Sequence, residues 1–232
     1  PPSCPMSHHR SLPPGSAWRS PYAGVHPRDR RHRSPDRGTA SDRGVTAGWA
    51  GPYTHGVPRP DTAAVLIPVK SFARAKVRLA GVLDDEQRSS LARGMAERVV
   101  AAADPLPVWC VCDDEDVRDW AATVGAQVEW TPGLGLNGAV QTATARRGAA
   151  GVARVVVAHG DLPFAAGLAD LAVAGDHEAL LVPDRRGRGS NVVSVPTGAG
   201  FRFAYGEGSL ERHLAEAARC GLSVRVVRAE HL

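Results

Sequence analysis

Four cationic side chains follow an apolar run within nine residues of one another: Lys70, Arg74, Lys76 and Arg78. The run before them, residues 63–69, is continuous and apolar, which predicts a strand buried on both faces. Ligands of parallel sheets bind at the carboxyl ends of the strands, and guanidinium groups bind phosphates bidentately. The loop therefore indicates a polyphosphate site, with a solvated charged loop as the alternative.

A lone carboxylate ends a second apolar run. Asp161 lies in His159-Gly160-Asp161-Leu162-Pro163, and Pro163 prevents an ordinary central strand from continuing. Magnesium requires only one or two protein carboxylates when substrate phosphates supply further oxygens. We therefore predict that Asp161 binds a metal ion, the alternative being a helix cap.

Two loops rich in small residues come later in the chain, over residues 184–191 and 203–209. Glycine lets backbone N–H groups approach an anion closely, and Ser209 opens a predicted helix whose N-terminus favours negative charge. Turn chemistry alone explains either loop. Their convergence with the basic loop and Asp161 at one sheet edge would make an anion site.

Two other motifs suggest different chemistries. Residues 133–138 spell G-x-G-x-x-G, and Asp161 follows at a spacing close to that of a ribose-binding acid. This dinucleotide motif, however, lies outside the first strand–helix unit, and Thr131 and Pro132 lengthen its turn. A serine-hydrolase triad of Ser209, His213 and Asp161 lacks a nucleophile elbow and would place its first two members one helical turn apart.

The elements that position these groups alternate between strands and helices, which predicts one three-layer α/β domain. Leu91, Met95 and Val99 give the first helix an apolar stripe. Predicted helices span Asp84 or Asp85 to Ala102, Asp114–Thr123, Asn137–Gly148, a short one near Leu168–Val173, and Ser209–Cys220. Predicted strands are residues 63–69, Val108–Cys112, Ala126–Trp130, Arg154–Ala158, Ala179–Pro183, Asn191–Val195 and Ser223–Arg228.

Composition separates residues 1–60 from residues 61–232. The first segment holds 11 of the 18 prolines, with 9 Arg and 3 Asp, so it has a balance of +6 against +4 for the whole chain. We predict a disordered Pro/Arg-rich tail followed by a mildly acidic domain, and no nucleic-acid partner. The absence of a span of about 20 apolar residues and of a disulfide framework predicts a cytoplasmic protein without a membrane anchor.

In combination these motifs resemble one family. The ordered set comprises residues 67–79, 135–137, 160–163, 184–191 and 205–209. It is similar to the 2-phospho-L-lactate or phosphoenolpyruvate guanylyltransferases of coenzyme F(420) biosynthesis. The resemblance covers nearly all of residues 63–228 and excludes the tail.

The resemblance implies a nucleotidyltransferase fold, like that of the nucleotide-diphospho-sugar transferases, with a mostly parallel mixed sheet. It implies GTP and a small phosphorylated carboxylic acid as substrates, Mg²⁺ as cofactor, and a monomer or homodimer. Its catalytic residues would be Lys70, Lys76, Arg78 and Asp161, with Asp161 also the metal ligand. Its nucleotide-binding residues would be Lys70, Arg74, Lys76 and Asn137, and its acid-binding residues Ser190, Gly206 and Ser209.

One departure from the family pattern concerns the carboxyl end. Family members continue into an Asp-x-Asp-Thr-Pro-x-Asp-Leu segment that supplies a second metal carboxylate, whereas this sequence stops at His231-Leu232. We therefore expect a domain truncated there. A molybdenum-cofactor or sugar-phosphate nucleotidyltransferase, and a non-catalytic nucleotide-binding protein, stay as alternatives.

Overall fold

A computed structural model describes residues 62–229 and 231–232, so the predicted tail over residues 1–60 lies outside the described residues. Seven strands form one sheet in the order β3-β2-β1-β4-β6-β5-β7. The strands are β1 (Ala63–Pro68), β2 (Val108–Cys112), β3 (Gln127–Trp130), β4 (Arg154–Ala158), β5 (Glu178–Pro183), β6 (Ser190–Pro196) and β7 (Ser223–Val226).

The sheet is mixed and mostly parallel. Strand β6 runs antiparallel to both of its neighbours, β4 and β5, and the other neighbouring pairs are parallel. Because β1 lies between β2 and β4 and is parallel to both, the carboxyl ends of these three strands meet at one edge. The segments that follow them are therefore brought together.

In the described part of the chain, four α-helices flank the sheet: α1 (Asp85–Ala101), α2 (Glu115–Thr123), α3 (Gly135–Ala149) and α4 (Ser209–Arg219). Asp84 caps α1 in a capping box with Gln87, and the Asp114 side chain accepts a hydrogen bond from the Val117 N–H at the start of α2. The helix predicted near residue 168 is a 3₁₀ helix, Leu168–Ala172; other 3₁₀ helices are Phe72–Arg74, Val77–Leu79 and Thr197–Ala199.

Two apolar cores, one on each face of the sheet, separate the three layers that the sequence predicts. On one face of the sheet, α1, α2 and residues 168–172 pack against alternate side chains of the strands. On the other face, α3, α4 and the aromatic residues of segment 201–205 pack against the intervening side chains. The alternation follows from the period of two in strand side-chain direction.

One residue of the apolar stripe predicted for α1 is wrong. Leu91 was expected in the apolar stripe, but it is 40% exposed, and the buried apolar residues of α1 are Ala92, Met95, Ala96 and Val99. Met95 and Val99 of the predicted stripe are buried, and the buried face includes Ala92 and Ala96 in place of Leu91. Among residues 62–229 and 231–232, no helix combines the length and apolar character that a membrane-spanning helix requires.

This burial pattern predicts unequal costs for the same substitution at two leucines. Leu66 in β1 is completely buried, whereas Leu91 lies on the exposed side of α1. Leu66→Ala should lower the free energy of unfolding by about 2–5 kcal/mol because it leaves a cavity. Leu91→Ala should change it by about 0.5 kcal/mol or less. Urea denaturation followed by tryptophan fluorescence measures both, and equal losses would contradict the assignment of layers.

Candidate active site

A cavity of about 600 Å³ lies at the carboxyl ends of β1, β2 and β4. Three loops line it, over residues 69–76, 113–114 and 159–161, and the start of α3 completes the wall. The cavity brings together four of the predicted site residues: Lys70, Arg74, Lys76 and Asp161. The remaining predicted residues do not line it, namely Arg78, Asn137, Ser190, Gly206 and Ser209.

A buried aromatic residue fixes the basic loop to the helices beneath it. Phe72 is 2% exposed, and its ring meets the Trp120 ring edge-on with centroids 5.1 Å apart. The Arg93 guanidinium lies over the Phe72 ring, 4.6 Å from its centroid. With Phe72 anchored between α1 and α2, the flanking Lys70 and Arg74 stay exposed at the cavity.

Lys76 has an uncommon backbone conformation and a direct partner in the site. Its φ is 52°, and it is the one non-glycine residue with positive φ in the described part of the chain. Its Nζ lies 2.9 Å from Asp161 Oδ2, which joins the loop after β1 to the loop after β4. Such outliers persist where surrounding structure holds them and are concentrated at functional sites.

The Asp161 carboxylate is kept ionised by this pair. Partial burial would raise its pKa, but the hydrogen bond and the charge of Lys76 together hold the pKa below its ordinary value. The carboxylate is 61% exposed as a side chain, so it is accessible to a ligand in the cavity.

A preformed metal cage is absent from residues 62–229 and 231–232, where no cluster of three or more His, Cys, Asp or Glu side chains is arranged around a common point. Asp113 also lines the cavity, while Asp114 is engaged in capping α2. Asp161 and Asp113 thus supply carboxylate oxygens of the kind that magnesium accepts when phosphates complete its ligand set.

The predicted acid-binding residues lie in and beside a buried hydrogen-bonded cluster. Ser190 and Ser209 are each 2% exposed, and the Ser190 N–H donates to Ser209 Oγ at 3.0 Å. Gly206 has a φ of 123°, a conformation that suits glycine alone. The three assignments stay predictions, as does that of Arg78, which is exposed in the 3₁₀ helix Val77–Leu79.

His213 belongs to this cluster, although its sequence context suggests only the base of a serine hydrolase. Its Nε2 accepts a hydrogen bond from the Ala204 N–H at 3.0 Å, so the proton lies on Nδ1, which contacts Ser190 Oγ at 3.0 Å. Burial lowers the pKa of His213 to about 4. Its ring pairs with Ser190 rather than Ser209, which excludes the triad. No local sequence signal reveals this role.

Asn137 lies in the first turn of α3, and its side chain forms two hydrogen bonds with the backbone of Tyr205. Its Oδ1 accepts from the Tyr205 N–H at 2.7 Å, and its Nδ2 donates to the Tyr205 carbonyl at 3.3 Å. The glycine motif that contains it follows β3, an edge strand, whereas dinucleotide-binding folds place the motif after the first strand at the centre of the sheet.

Comparison with known proteins identifies a matching family. The family model described as "Guanylyl transferase CofC like" matches residues 63–229. The phosphoenolpyruvate guanylyltransferase of Chloroflexus aurantiacus is 31% identical over 177 residues, covering 70% of this chain and 84% of the relative. The enzyme of the same name from Streptomyces coelicolor is 37% identical over 163 residues, covering 66% of this chain and 77% of the relative.

Solved structures support the fold. A putative nucleotide-diphospho-sugar transferase from Desulfovibrio desulfuricans matches with a TM-score of 0.59 and 18% identity, over 72% of this chain and 80% of that one. A nucleotidyl transferase from Methanothermobacter matches with a TM-score of 0.54 and 14% identity, over 73% and 88%. The predicted nucleotidyltransferase-type fold is confirmed.

The ion pair predicts how the pKa of Asp161 responds to its neighbours. In Lys76→Gln, burial remains and the compensating ammonium is lost, so the pKa of Asp161 should rise. Lys70→Gln is the matched control, because it removes an equal charge from the same cavity without breaking the bond to Asp161. A titration followed by carboxyl ¹³C NMR measures both, and equal shifts would show that the direct contact is unimportant.

His213 predicts a loss of stability in acid. Its folded-state pKa of about 4 lies below the ordinary 6.5, so between these values the unfolded chain binds a proton that the folded chain excludes. Stability from this group is therefore complete above the higher value and falls as the pH drops. Between about pH 7 and pH 5, the parent chain should lose roughly 2 kcal/mol more unfolding free energy than His213→Gln. Parallel losses in urea denaturation would refute a neutral buried histidine.

Proposed function

The chain belongs to the CofC-like guanylyl transferase family, and from that premise we propose that it joins GTP to phosphoenolpyruvate and releases pyrophosphate, as a step of coenzyme F(420) biosynthesis. The observation that best supports this function is the cavity in which Lys70, Arg74 and the Lys76–Asp161 pair converge. Positive charge at the end of a parallel strand is the arrangement that a nucleoside triphosphate requires.

The reaction needs no general base in this proposal. A phosphate oxygen of the acid, already anionic, attacks the α-phosphorus of GTP in line with the leaving group. The new P–O bond forms as the bond to the bridging oxygen breaks, and pyrophosphate leaves with the electron pair. The protein then contributes position and charge neutralisation, for which Lys70, Arg74 and Lys76 are the cationic groups that line the cavity.

Magnesium fits the carboxylates that this cavity offers. Asp161 is accessible, and its lowered pKa keeps it charged at neutral pH; Asp113 is a second acidic side chain in the lining. We propose that Asp161 holds Mg²⁺ jointly with the phosphates of GTP. When bound, the ion would neutralise negative charge on the triphosphate.

The acceptor and its binding residues belong to the same proposal. The names of the relatives favour phosphoenolpyruvate over 2-phospho-L-lactate as the small phosphoacid. We assign the acid to the loops around Ser190, Gly206 and Ser209, and Arg78 to the triphosphate. Ser190 and Ser209 are buried, so they would act mainly through the loop backbone that their hydrogen bonds shape.

The proposal predicts which substrates release pyrophosphate. Purified protein should be incubated with Mg²⁺, each of the four ribonucleoside triphosphates and one acid from phosphoenolpyruvate, 2-phospho-L-lactate and 3-phosphoglycerate, with pyrophosphate measured. Release should require GTP and should be fastest with phosphoenolpyruvate. Release with CTP in place of GTP would indicate another nucleotidyltransferase, and binding of GTP without turnover would indicate a non-catalytic protein.

Two substitutions connect that activity to the cavity. Asp161→Asn and Lys70→Gln should each lower kcat/KM about 100-fold, because each removes a charge placed at the reacting phosphates. Asp119→Asn is the matched control, since it removes an exposed carboxylate on α2 outside the cavity lining. If Asp161→Asn turned over as fast as an active parent enzyme, the proposed site would be refuted although the proposed reaction would stand.

A further inference from the structure

Segment 201–205 packs beside the sheet without joining it. Its residues form neither helix nor strand, yet Phe201, Phe203 and Tyr205 are buried in the core on the α3 side. Buried backbone groups require hydrogen-bond partners. In this segment side chains from two helices supply them, in place of a neighbouring strand.

Helix α3 supplies two amide side chains one turn apart. Gln141 Nε2 donates to the Phe201 carbonyl at 3.0 Å, and Gln141 Oε1 accepts from the Phe203 N–H at 3.2 Å. Asn137 makes the equivalent pair to the N–H and carbonyl of Tyr205. Residues four apart share one helix face, so the two amides bind successive odd-numbered residues of the segment.

Helix α4 binds the even-numbered residues from the other side. Glu216 Oε1 accepts from the Arg202 N–H at 2.8 Å, and His213 Nε2 accepts from the Ala204 N–H. Arg212 Nε donates to the Ala204 carbonyl at 3.0 Å. The segment is therefore held on both edges, and its last residue has little freedom to shift.

That last residue contacts the cavity wall. The Tyr205 ring meets the His159 ring edge-on with centroids 4.9 Å apart, and His159 lines the cavity two residues before Asp161. After Tyr205 the chain turns through Gly206 into the loop that opens α4. The position of Tyr205 thus influences both the loop of Asp161 and the turn at Gly206.

We propose that Asn137 and Gln141 are positioning residues, which fix segment 201–205 so that Tyr205 supports His159 at the cavity wall and presents the Gly206 turn. This inference rests on the proposed function and replaces direct nucleotide contact by Asn137. The Asn137 side chain is committed to Tyr205, and Asn137 is not in the cavity lining although its neighbours Gly135 and Leu136 are.

Asn137→Ala and Gln141→Ala form a matched pair, since each removes one two-bond clamp on the same segment from the same helix. Both should lower kcat/KM for phosphoenolpyruvate by about 10-fold to 100-fold, as expected when a supporting group is misplaced. In both, the GTP dissociation constant measured by calorimetry without the acid should stay within about twofold, because the cations of the basic loop are untouched. Backbone hydrogen exchange over residues 201–205 should rise in both.

Each alternative has a different result. Weaker GTP binding in Asn137→Ala alone would assign the residue to the nucleotide and overturn the inference. A lower melting temperature with unchanged kinetics in both variants would show a purely structural clamp and overturn it as well. If the parent chain releases no pyrophosphate, the proposed function fails on its own, and unchanged GTP affinity with faster exchange in both variants would still support the clamp.

Discussion

The parallel alignment of β1 with β4 is the constraint on which the site depends. It places the ends of two central strands side by side, so that the loops after them meet and Lys76 reaches Asp161 at 2.9 Å. Neither residue is near the other in sequence. The sheet brings together a cation and a carboxylate 85 residues apart, which is the general advantage of ligand sites at the carboxyl edge of α/β sheets.

On the opposite face of the sheet from α1 and α2, a buried segment without a strand partner requires other hydrogen-bond partners for its backbone. Strand β6 runs antiparallel to β4, and segment 201–205, which follows it, packs with α3 and α4 without a strand partner. Polar side chains of the two helices bind backbone groups of the segment from Phe201 to Tyr205. His213, one of these side chains, stays neutral because burial lowers its pKa. These directional hydrogen bonds constrain both edges of the segment, so they fix its geometry more tightly than apolar packing alone would.

Sequence patterns predicted the layers of the fold and the sheet edge at which the cavity lies, for physical reasons that differ from residue to residue. Apolar runs such as Arg154–Ala158 predict buried strands because both faces of a central strand are covered. The basic loop and Asp161 were identified because their charges follow such runs directly. Ser190 and Asn137 could not be placed this way, since their hydrogen bonds join residues 19 and 68 positions apart. A detectable signal was the spacing of Asn137 and Gln141, two amides on one helix face.

The Lys76–Asp161 ion pair is weak enough for each side chain to exchange its partner for a ligand. Lys76 is 27% exposed and Asp161 61% exposed as side chains, and ion pairs in such positions contribute about 1 kcal/mol or less. The triphosphate of the proposed GTP substrate offers Lys76 oxygens of higher charge than one carboxylate, so the lysine can transfer to the nucleotide at small cost. Asp161 would then be a free anion beside the phosphates, where it would repel them unless a cation lay between. A pair this weak would thus leave the carboxylate available for a divalent ion once the proposed nucleotide has taken over the lysine.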